Sequence, residues 1–280
     1  MAWARLLCAA VFLSVGAHAQ WLNYVNPGTP RLKDGNPNLA APAPRTPDGK
    51  PDLTGVWAHE ITPAAEFKRI LGPGYEAESR NALIGMELES VHKYALNILL
   101  DFKPEEAPLR PEAEQIMKQR KQDVTNVCHG EYGWPVAGLL AEPLKIVQAP
   151  RETLILYEVD HMNRQIFTDG RKFPATFEFP AYLGYSVGHW EQDTFVVETR
   201  GFNERTPLDA IGHPRSEAMH VTERFRRRDF GHLDYEMTFD DPQLYTRPFT
   251  VRIPHLLVAD NDIFEMFCNE NEKDRAHMVK

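Results

Sequence analysis

The chain has 280 residues, of which 42% are hydrophobic and 25% are charged, and its formal net charge is -9. This length and composition predict an ordinary globular protein with one large domain or two small ones. A pI near 5.7 argues against a nucleic-acid-binding protein, which normally has a basic face. No apolar run reaches the roughly 18 residues that a membrane-spanning helix needs.

Residues 1–19 have the pattern of a signal peptide for export. Arg5 supplies a positive charge, residues 6–17 form a short apolar segment, and Ala17-His18-Ala19 is a typical cleavage site. We therefore expect a mature chain that begins at Gln20, in the periplasm or outside the cell. A buried N-terminal helix is the alternative, and the order of the three signal elements disfavours it.

Residues 20–52 form a proline-rich arm. Seven prolines and three glycines stand between residues 26 and 51, and they exclude a packed helix or a central strand there. The arm is therefore expected to be extended, either loose or wrapped over the surface of the domain that follows.

Residues 53–280 are predicted to form a single β-rich domain, which begins with the strand LTGVW at Leu53 to Trp57. A helical segment is inserted at residues 64–122. Apolar residues at helical spacing, and Pro111 at a first-turn position, predict two helices of about 20 and 11 residues in this segment.

From Leu144 onward, nine short runs with strand character follow one another, separated by turn residues at hairpin distances. Residues 232–239 show the clearest alternation of polar and apolar side chains. This pattern predicts a mainly β fold, in which an antiparallel meander closes into a lipocalin-like or calycin-like barrel or folds into a sandwich. We detect no internal repeat in the sequence.

Removal of the signal peptide takes Cys8 away and leaves Cys128 and Cys268. In an oxidising compartment such an even pair predicts one disulfide bond. A metal or nucleophile site at Cys128-His129 is the alternative, but no second Cys-His cluster accompanies it. His213 and His220 also lack metal-binding spacing, so we expect neither a metal nor another cofactor.

The stretch GYSVG, residues 184–188, matches the Gly-x-Ser-x-Gly pattern of many esterases. A nucleophile elbow needs a helix after the serine, and here another strand follows. Asp209 and His220 would complete a catalytic triad in a permitted order. The context nevertheless favours a structural Ser186, with Gly184 and Gly188 at positions where a strand bends or another backbone comes close.

Four segments carry a resemblance to known proteins: PDLTGVW, YLGYSVGHWEQDTFVVETRGF, HVTERFRRRDFGHLDYEMTFDDP and FEMFCNEN. They resemble a large family of uncharacterised secreted bacterial proteins, over residues 45–272. The resemblance implies export, a β-rich fold and a bond between Cys128 and Cys268, and it implies no established activity. His189 and Gln192 depart from the family pattern, which has an arginine and a turn glycine there. Residues 55–57 also resemble the G-x-W of lipocalin-type barrels.

The candidate site is predicted from neighbouring strands. YSVGHW and TFVVETR form one hairpin, and MHVTERF is the next strand, so side chains from the three can converge if they line a cavity. If they face solvent instead, they form ordinary cross-strand ion pairs. The candidate acid and base residues are Glu198, His220 and Glu223. The candidate ligand-binding residues are Tyr185, Arg224, Asp160 and His161.

Three functions are compatible with this sequence. The first is an exported β-barrel protein that binds a small apolar or aromatic ligand. The second is a cofactor-free periplasmic lyase, isomerase or hydrolase that uses Glu and His as acid and base. The third is an interaction module whose arm or strand edge docks on a cell-envelope partner. The sequence predicts no oligomeric state.

Overall fold

The computed structural model describes residues 24–72, 92–120, 134–139, 143–159 and 162–264. The signal peptide with its cleavage site, Cys128, Cys268, Asp160 and His161 lie outside these ranges, so cleavage and the disulfide stay predictions. Among the described helices, none has both the length and the apolar character needed to cross a membrane.

Ten strands form one sheet. They are β1 (Gly55–His59), β2 (Leu144–Ala149), β3 (Glu152–Tyr157), β4 (Asn163–Phe167), β5 (Tyr185–Glu191), β6 (Thr194–Arg200), β7 (His220–Arg227), β8 (His232–Asp240), β9 (Phe249–Arg252) and β10 (His255–Leu257).

The sheet closes into a nine-stranded barrel. Strands β1 to β8 are neighbours in chain order, and β10 pairs with both β8 and β1, which joins the two edges. β9 and β10 meet β8 separately because Pro254, which has no N–H to donate, lies between them. The predicted mainly β fold is confirmed, and it is the barrel rather than the sandwich.

One strand pair departs from the predicted antiparallel meander. β4 is antiparallel to β3 but parallel to β5. A closed barrel with an odd number of strands cannot alternate strand direction all the way round, so at least one neighbouring pair must be parallel. The connection at residues 168–184 carries the chain back along the barrel and makes this pair possible.

The two ends of the barrel differ. Tight connections at residues 150–151, 192–193 and 228–231 lie at one end, here called the turn end. β1 ends and β2 begins at the opposite end, here called the loop end, where residues 201–219 also connect β6 to β7. The N-terminal arm leads into β1 at the turn end.

The described helices are α1 (Ala64–Leu71), α2 (Lys93–Leu96) and α3 (Pro111–Arg120). α3 confirms the helix predicted from Pro111. The other predicted helix falls partly outside the described residues, and its described part contains only α2. α2 ends because Asn97 has an extended backbone, and the Asn97 side chain accepts a hydrogen bond from the Leu99 N–H at 2.9 Å.

Alternating side chains of the strands fill the barrel interior. On β8, Leu233, Tyr235, Met237 and Phe239 face inward and are at most 6% exposed. Trp57 of the Gly-x-Trp segment also faces inward, is fully buried, and donates from Nε1 to the Leu53 carbonyl at 2.9 Å. The inward-facing side chains form a packed core, as is usual for barrels of this size.

Candidate ligand pocket beneath the N-terminal arm

The arm is wrapped over the turn end, and it contains a short repeat that the sequence analysis missed. RLKDGNP (residues 31–37) and RTPDGKP (residues 45–51) share the pattern R-x-x-D-G-x-P. Each segment closes on itself, since its first and last residues form an isolated β-bridge. In each, the arginine donates from Nη1 to the carbonyl of the glycine, at 3.5 Å in the first and 2.7 Å in the second. We call these segments clasp 1 and clasp 2.

Each clasp arginine forms a two-pronged ion pair with an aspartate of the barrel domain. Arg31 of clasp 1 donates to both carboxylate oxygens of Asp260, at 2.7 and 2.5 Å. Arg45 of clasp 2 donates in the same way to Asp193, at 2.9 and 2.7 Å. Such paired contacts fix orientation as well as distance. The repeat therefore fastens the arm at two points.

Main-chain bonds and a close approach complete the docking of the arm. Phe230 donates its N–H to the Ala41 carbonyl at 2.7 Å, and Gly231 donates to the Leu39 carbonyl at 2.8 Å. A Cβ at Gly231 would lie 2.4 Å from Leu39 Cβ, so the arm lies against this turn without room for a side chain.

A pocket of about 650 Å³ lies between the arm and the turn end of the barrel. This volume is within the range usual for small-molecule sites, roughly 300 to 1,000 Å³. Segment 24–29, which precedes clasp 1, forms one wall. The apolar part of the lining consists of Pro44, Val56, Phe230, Leu257, Val258 and Ala259.

The polar part of the lining includes an unusual arginine. Arg227 is only 5% exposed, and its guanidinium packs over the Trp57 ring at 5.0 Å. Burial lowers the pKa of Arg227 to about 10, and the charges of Asp52 and Asp229 offset this only in part. The pocket therefore has apolar walls and a desolvated cation at its edge.

The sequence-predicted site residues do not converge in one place. Glu198, His220 and Arg224 lie on the outer face of β6 and β7, whereas Glu223 faces the interior and is fully buried. Tyr185 lies on the outer face of β5, against the ring of Phe167 at 5.1 Å. The predicted single cavity is therefore not formed by these residues. Alternation along β7 sends position 223 to the opposite side from positions 220 and 224.

Glu198 and His220 are adjacent on the outer face. His220 Nε2 is 4.0 Å from Glu198 Oε1, and it is buried without a hydrogen-bond partner. Burial, with the nearby charge of Arg200, lowers the pKa of His220. Arg224 instead pairs with Glu191 at 2.7 Å. An acid–base role for Glu198 and His220 stays a prediction.

Glu223 belongs to a buried polar cluster in the barrel. It forms an ion pair with Arg164 of β4 and accepts a hydrogen bond from Tyr235 Oη at 2.6 Å. Burial raises the pKa of Tyr235, and the charge of Glu223 raises it further. The Arg164 guanidinium also packs over the Trp134 ring at 4.5 Å. This cluster satisfies its own charges, so it is better suited to holding the barrel together than to chemistry.

Ser186 is part of the same cluster. Its Oγ accepts from Arg164 Nε at 3.2 Å and shares a hydrogen bond with Thr199 Oγ1 at 2.9 Å, and the residue is 1% exposed. A strand follows it, so the turn of a nucleophile elbow is absent here. Gly184 has a φ of 65°, and a Cβ at Gly188 would lie 2.6 Å from the Phe195 ring. Gly184 thus has a backbone conformation that favours glycine, whereas at Gly188 the space is taken by the side chains of Phe195 and Ile166 rather than by another backbone.

His92 is buried and lines a second cleft of about 520 Å³, and His59 and His255 are buried as well. His59 and His255 are cross-strand neighbours on β1 and β10, and the His59 and His92 rings are 5.5 Å apart. Burial lowers the pKa of His255 to about 3. In the described part of the chain, no group of three His, Cys, Asp or Glu residues is arranged to hold a metal ion.

Sequence reasoning missed the arm pocket, although two signals pointed to it. The R-x-x-D-G-x-P pattern occurs twice in the sequence, with a period of 14 residues. Alternation along HVTERFRR also puts Arg227 on the apolar face shared by Val221 and Phe225, where an arginine needs a specific environment.

The described structure thus places one apolar, arginine-edged pocket under a fastened arm, and a buried charge cluster inside the barrel. Comparison of this chain with protein-family models, with curated proteins and with solved structures finds no match. The resemblance to the secreted bacterial family therefore stays a prediction, and the function must be argued from the site.

Proposed function

We propose that this protein is an exported β-barrel protein that binds a small apolar or aromatic ligand in the pocket beneath the arm. The observation that carries the proposal is the pocket of about 650 Å³ with walls of Val56, Leu257, Val258 and Phe230. Apolar walls with a few polar groups at fixed positions are the usual features of a small-molecule site.

The fastened arm supports this proposal. Segment 24–29 lines the pocket, and it is held by bonds from the Tyr24 N–H to the Asp260 carbonyl at 3.3 Å and from the Asn26 N–H to Asp260 Oδ1 at 3.2 Å. A wall that is already positioned loses less conformational freedom when a ligand binds.

The test compares two tryptophan variants that differ by two positions. Val258 lines the pocket, whereas Leu256 lies on the outer face of β10, is 36% exposed and is not part of the lining. Val258→Trp should fill the pocket and weaken binding of the neutral fluorescent probe N-phenyl-1-naphthylamine at least tenfold. Leu256→Trp should leave the affinity unchanged.

The proposal fails if the wild-type protein does not bind the probe. It also fails if both variants bind the probe as the wild type does, because the probe then lies elsewhere. Circular dichroism and thermal unfolding of both variants show whether each keeps the barrel. Native mass spectrometry of protein taken from the exporting cell would also reveal a retained ligand.

A further inference from the structure

Among the described residues, the buried Arg227 forms no ion pair with a carboxylate. Its guanidinium donates there to main-chain oxygens alone: Nη1 to Asp52 at 2.5 Å, Nη2 to Phe230 at 2.5 Å, and Nε to Phe230 at 3.1 Å and Asp229 at 3.3 Å. Arg164 of β4 is also buried in the barrel, and the carboxylate of Glu223 balances its charge. Arg227 has no such direct ion pair in the described part of the chain, although the charges of Asp52 and Asp229 act on it.

The guanidinium also has donors to spare. A guanidinium carries five N–H groups, and each of its nitrogen atoms here uses one of them on a carbonyl oxygen. Two N–H groups, one on Nη1 and one on Nη2, are left without a protein acceptor in the described part of the chain. Two such donors on neighbouring nitrogens match the two oxygens of a carboxylate.

Three other polar groups of the lining bear on what the pocket can hold. Asn261 lines the pocket, and its side-chain Oδ1 is a buried acceptor without a partner, which suits a donor on the ligand rather than the carboxylate. The two carboxylates of the lining are already engaged. Asp52 accepts from the Thr54 N–H at 2.9 Å, and Asp262 pairs with Lys145 at 2.7 Å.

We propose that the ligand of the arm pocket carries an anionic head group, a carboxylate, which accepts hydrogen bonds from Arg227 while the apolar walls hold the ligand body. This inference rests on the proposed function and adds the chemical class of the ligand. A counter-anion beside a desolvated cation is favourable because the cation has already lost its water.

The experiment uses the mature full-length protein and three ligands with one aromatic body: 2-naphthoate, 2-naphthylmethanol and 2-naphthylmethylamine. Calorimetric titration at pH 7 should show 2-naphthoate binding roughly 10- to 100-fold more tightly than the alcohol, as hydrogen bonds to a charged group predict. The ammonium compound should bind most weakly, because it adds a second cation.

Two arginine variants test whether Arg227 causes the preference for the carboxylate ligand. Arg227→Lys keeps the charge but removes the fork of donors, so it should bring the affinity for 2-naphthoate close to that for the alcohol. Arg226→Lys is the matched control, since Arg226 is exposed on the outer face of β7. If Arg227→Lys does not fold, the three-ligand series on the wild type still decides.

The outcomes separate the two proposals. Equal affinity for the acid and the alcohol overturns the anionic head group and leaves the ligand-binding function standing. A preference for the acid that persists in Arg227→Lys overturns the role of Arg227. No binding of any of the three ligands overturns the proposed function together with this inference.

Discussion

Arg164 and Glu223 face each other inside the barrel as a buried ion pair. They belong to β4 and β7, which are not neighbouring strands, and Arg164 Nη1 lies 2.8 Å from Glu223 Oε1. The side chains are 1% and 0% exposed. Burial alone would lower the pKa of Arg164, but the charge and hydrogen bonds of Glu223 outweigh it and leave that pKa raised. Arg164 therefore stays charged in the folded protein.

Loss of one member of this pair should be costly. Glu223→Gln leaves Arg164 buried without a counter-charge, so we expect a loss of roughly 3 to 5 kcal/mol in the free energy of unfolding. The control is Glu236→Gln, whose partner Arg252 is 73% exposed, and which should cost at most about 1 kcal/mol. Urea denaturation at pH 7 measures both. Equal losses in the two variants would show that the buried pair is not maintained.

In the turn between β5 and β6, Gln192 has a strained backbone conformation that a glycine would relieve. Gln192 has a φ of 54°, in the left-handed region that costs a non-glycine residue roughly 1 to 2 kcal/mol. Gln192→Gly should therefore raise the free energy of unfolding by about 0.5 to 1 kcal/mol, after the entropy cost of glycine in the unfolded chain. Lys172→Gly is the control, at an exposed position without a positive φ, and should lower stability slightly. A loss in Gln192→Gly would contradict the strain.

Gln192 also illustrates which features of the fold can be predicted from the sequence. The family resemblance expects a glycine at this turn, and the backbone has the conformation that glycine prefers. The barrel was predictable for a similar local reason: alternation and tight turns are encoded within a few residues of each other. The parallel β4–β5 pair was not, because it depends on the total number of strands.

The inward position of the Glu223 side chain could not be predicted from the sequence, for a different reason. Its strand alternation is readable, but a carboxylate among Val221 and Phe225 is expected to turn to solvent unless a partner holds it. That partner, Arg164, is 59 residues away in the chain. No local pattern specifies such a contact. The predicted site combined residues from both faces of β7, and the structure places Glu223 on the opposite face from His220 and Arg224.

The two clasps should hold the arm unequally. The Arg31–Asp260 pair is 25% and 28% exposed, whereas Arg45–Asp193 is 52% and 56% exposed and so is better screened by salt. Arg31→Ala should speed hydrogen exchange at the N–H groups of segment 24–38. Arg45→Ala should produce a smaller change around clasp 2.

Hydrogen exchange with mass spectrometry reports on both segments at once, in low salt and in 0.5 M NaCl, which shortens the Debye length to about 4 Å. High salt should reproduce much of the Arg45→Ala effect in the wild type and little of the Arg31→Ala effect. Faster exchange throughout the barrel would mean that the substitutions unfold the protein rather than release the arm. Identical exchange in both variants and the wild type would show that the clasps do not fasten it.

The buried histidines should make the protein unstable in mild acid. Burial lowers the pKa of His255 to about 3, and burial with the charges of His59 and His255 lowers that of His92 well below 6.5. As pH falls below 6.5, these histidines take up protons in the unfolded chain but not in the folded chain, so stability that is present above that pH is lost toward pH 3.

Each histidine with a lowered pKa reduces the free energy of unfolding by up to about 1.4 kcal/mol per pH unit. The pKa values of Glu66 and Asp169 are lowered from 4.5 and 3.8, so the stability that these two carboxylates contribute is lost mainly below about pH 5. Urea midpoints between pH 7 and 5 should fall for the wild type and fall less for His255→Asn, which keeps a donor for the Ile253 carbonyl. His189→Asn, at a side chain that is 55% exposed, should retain the wild-type slope. A His255→Asn slope equal to that of the wild type would show that His255 takes up its proton in the folded barrel.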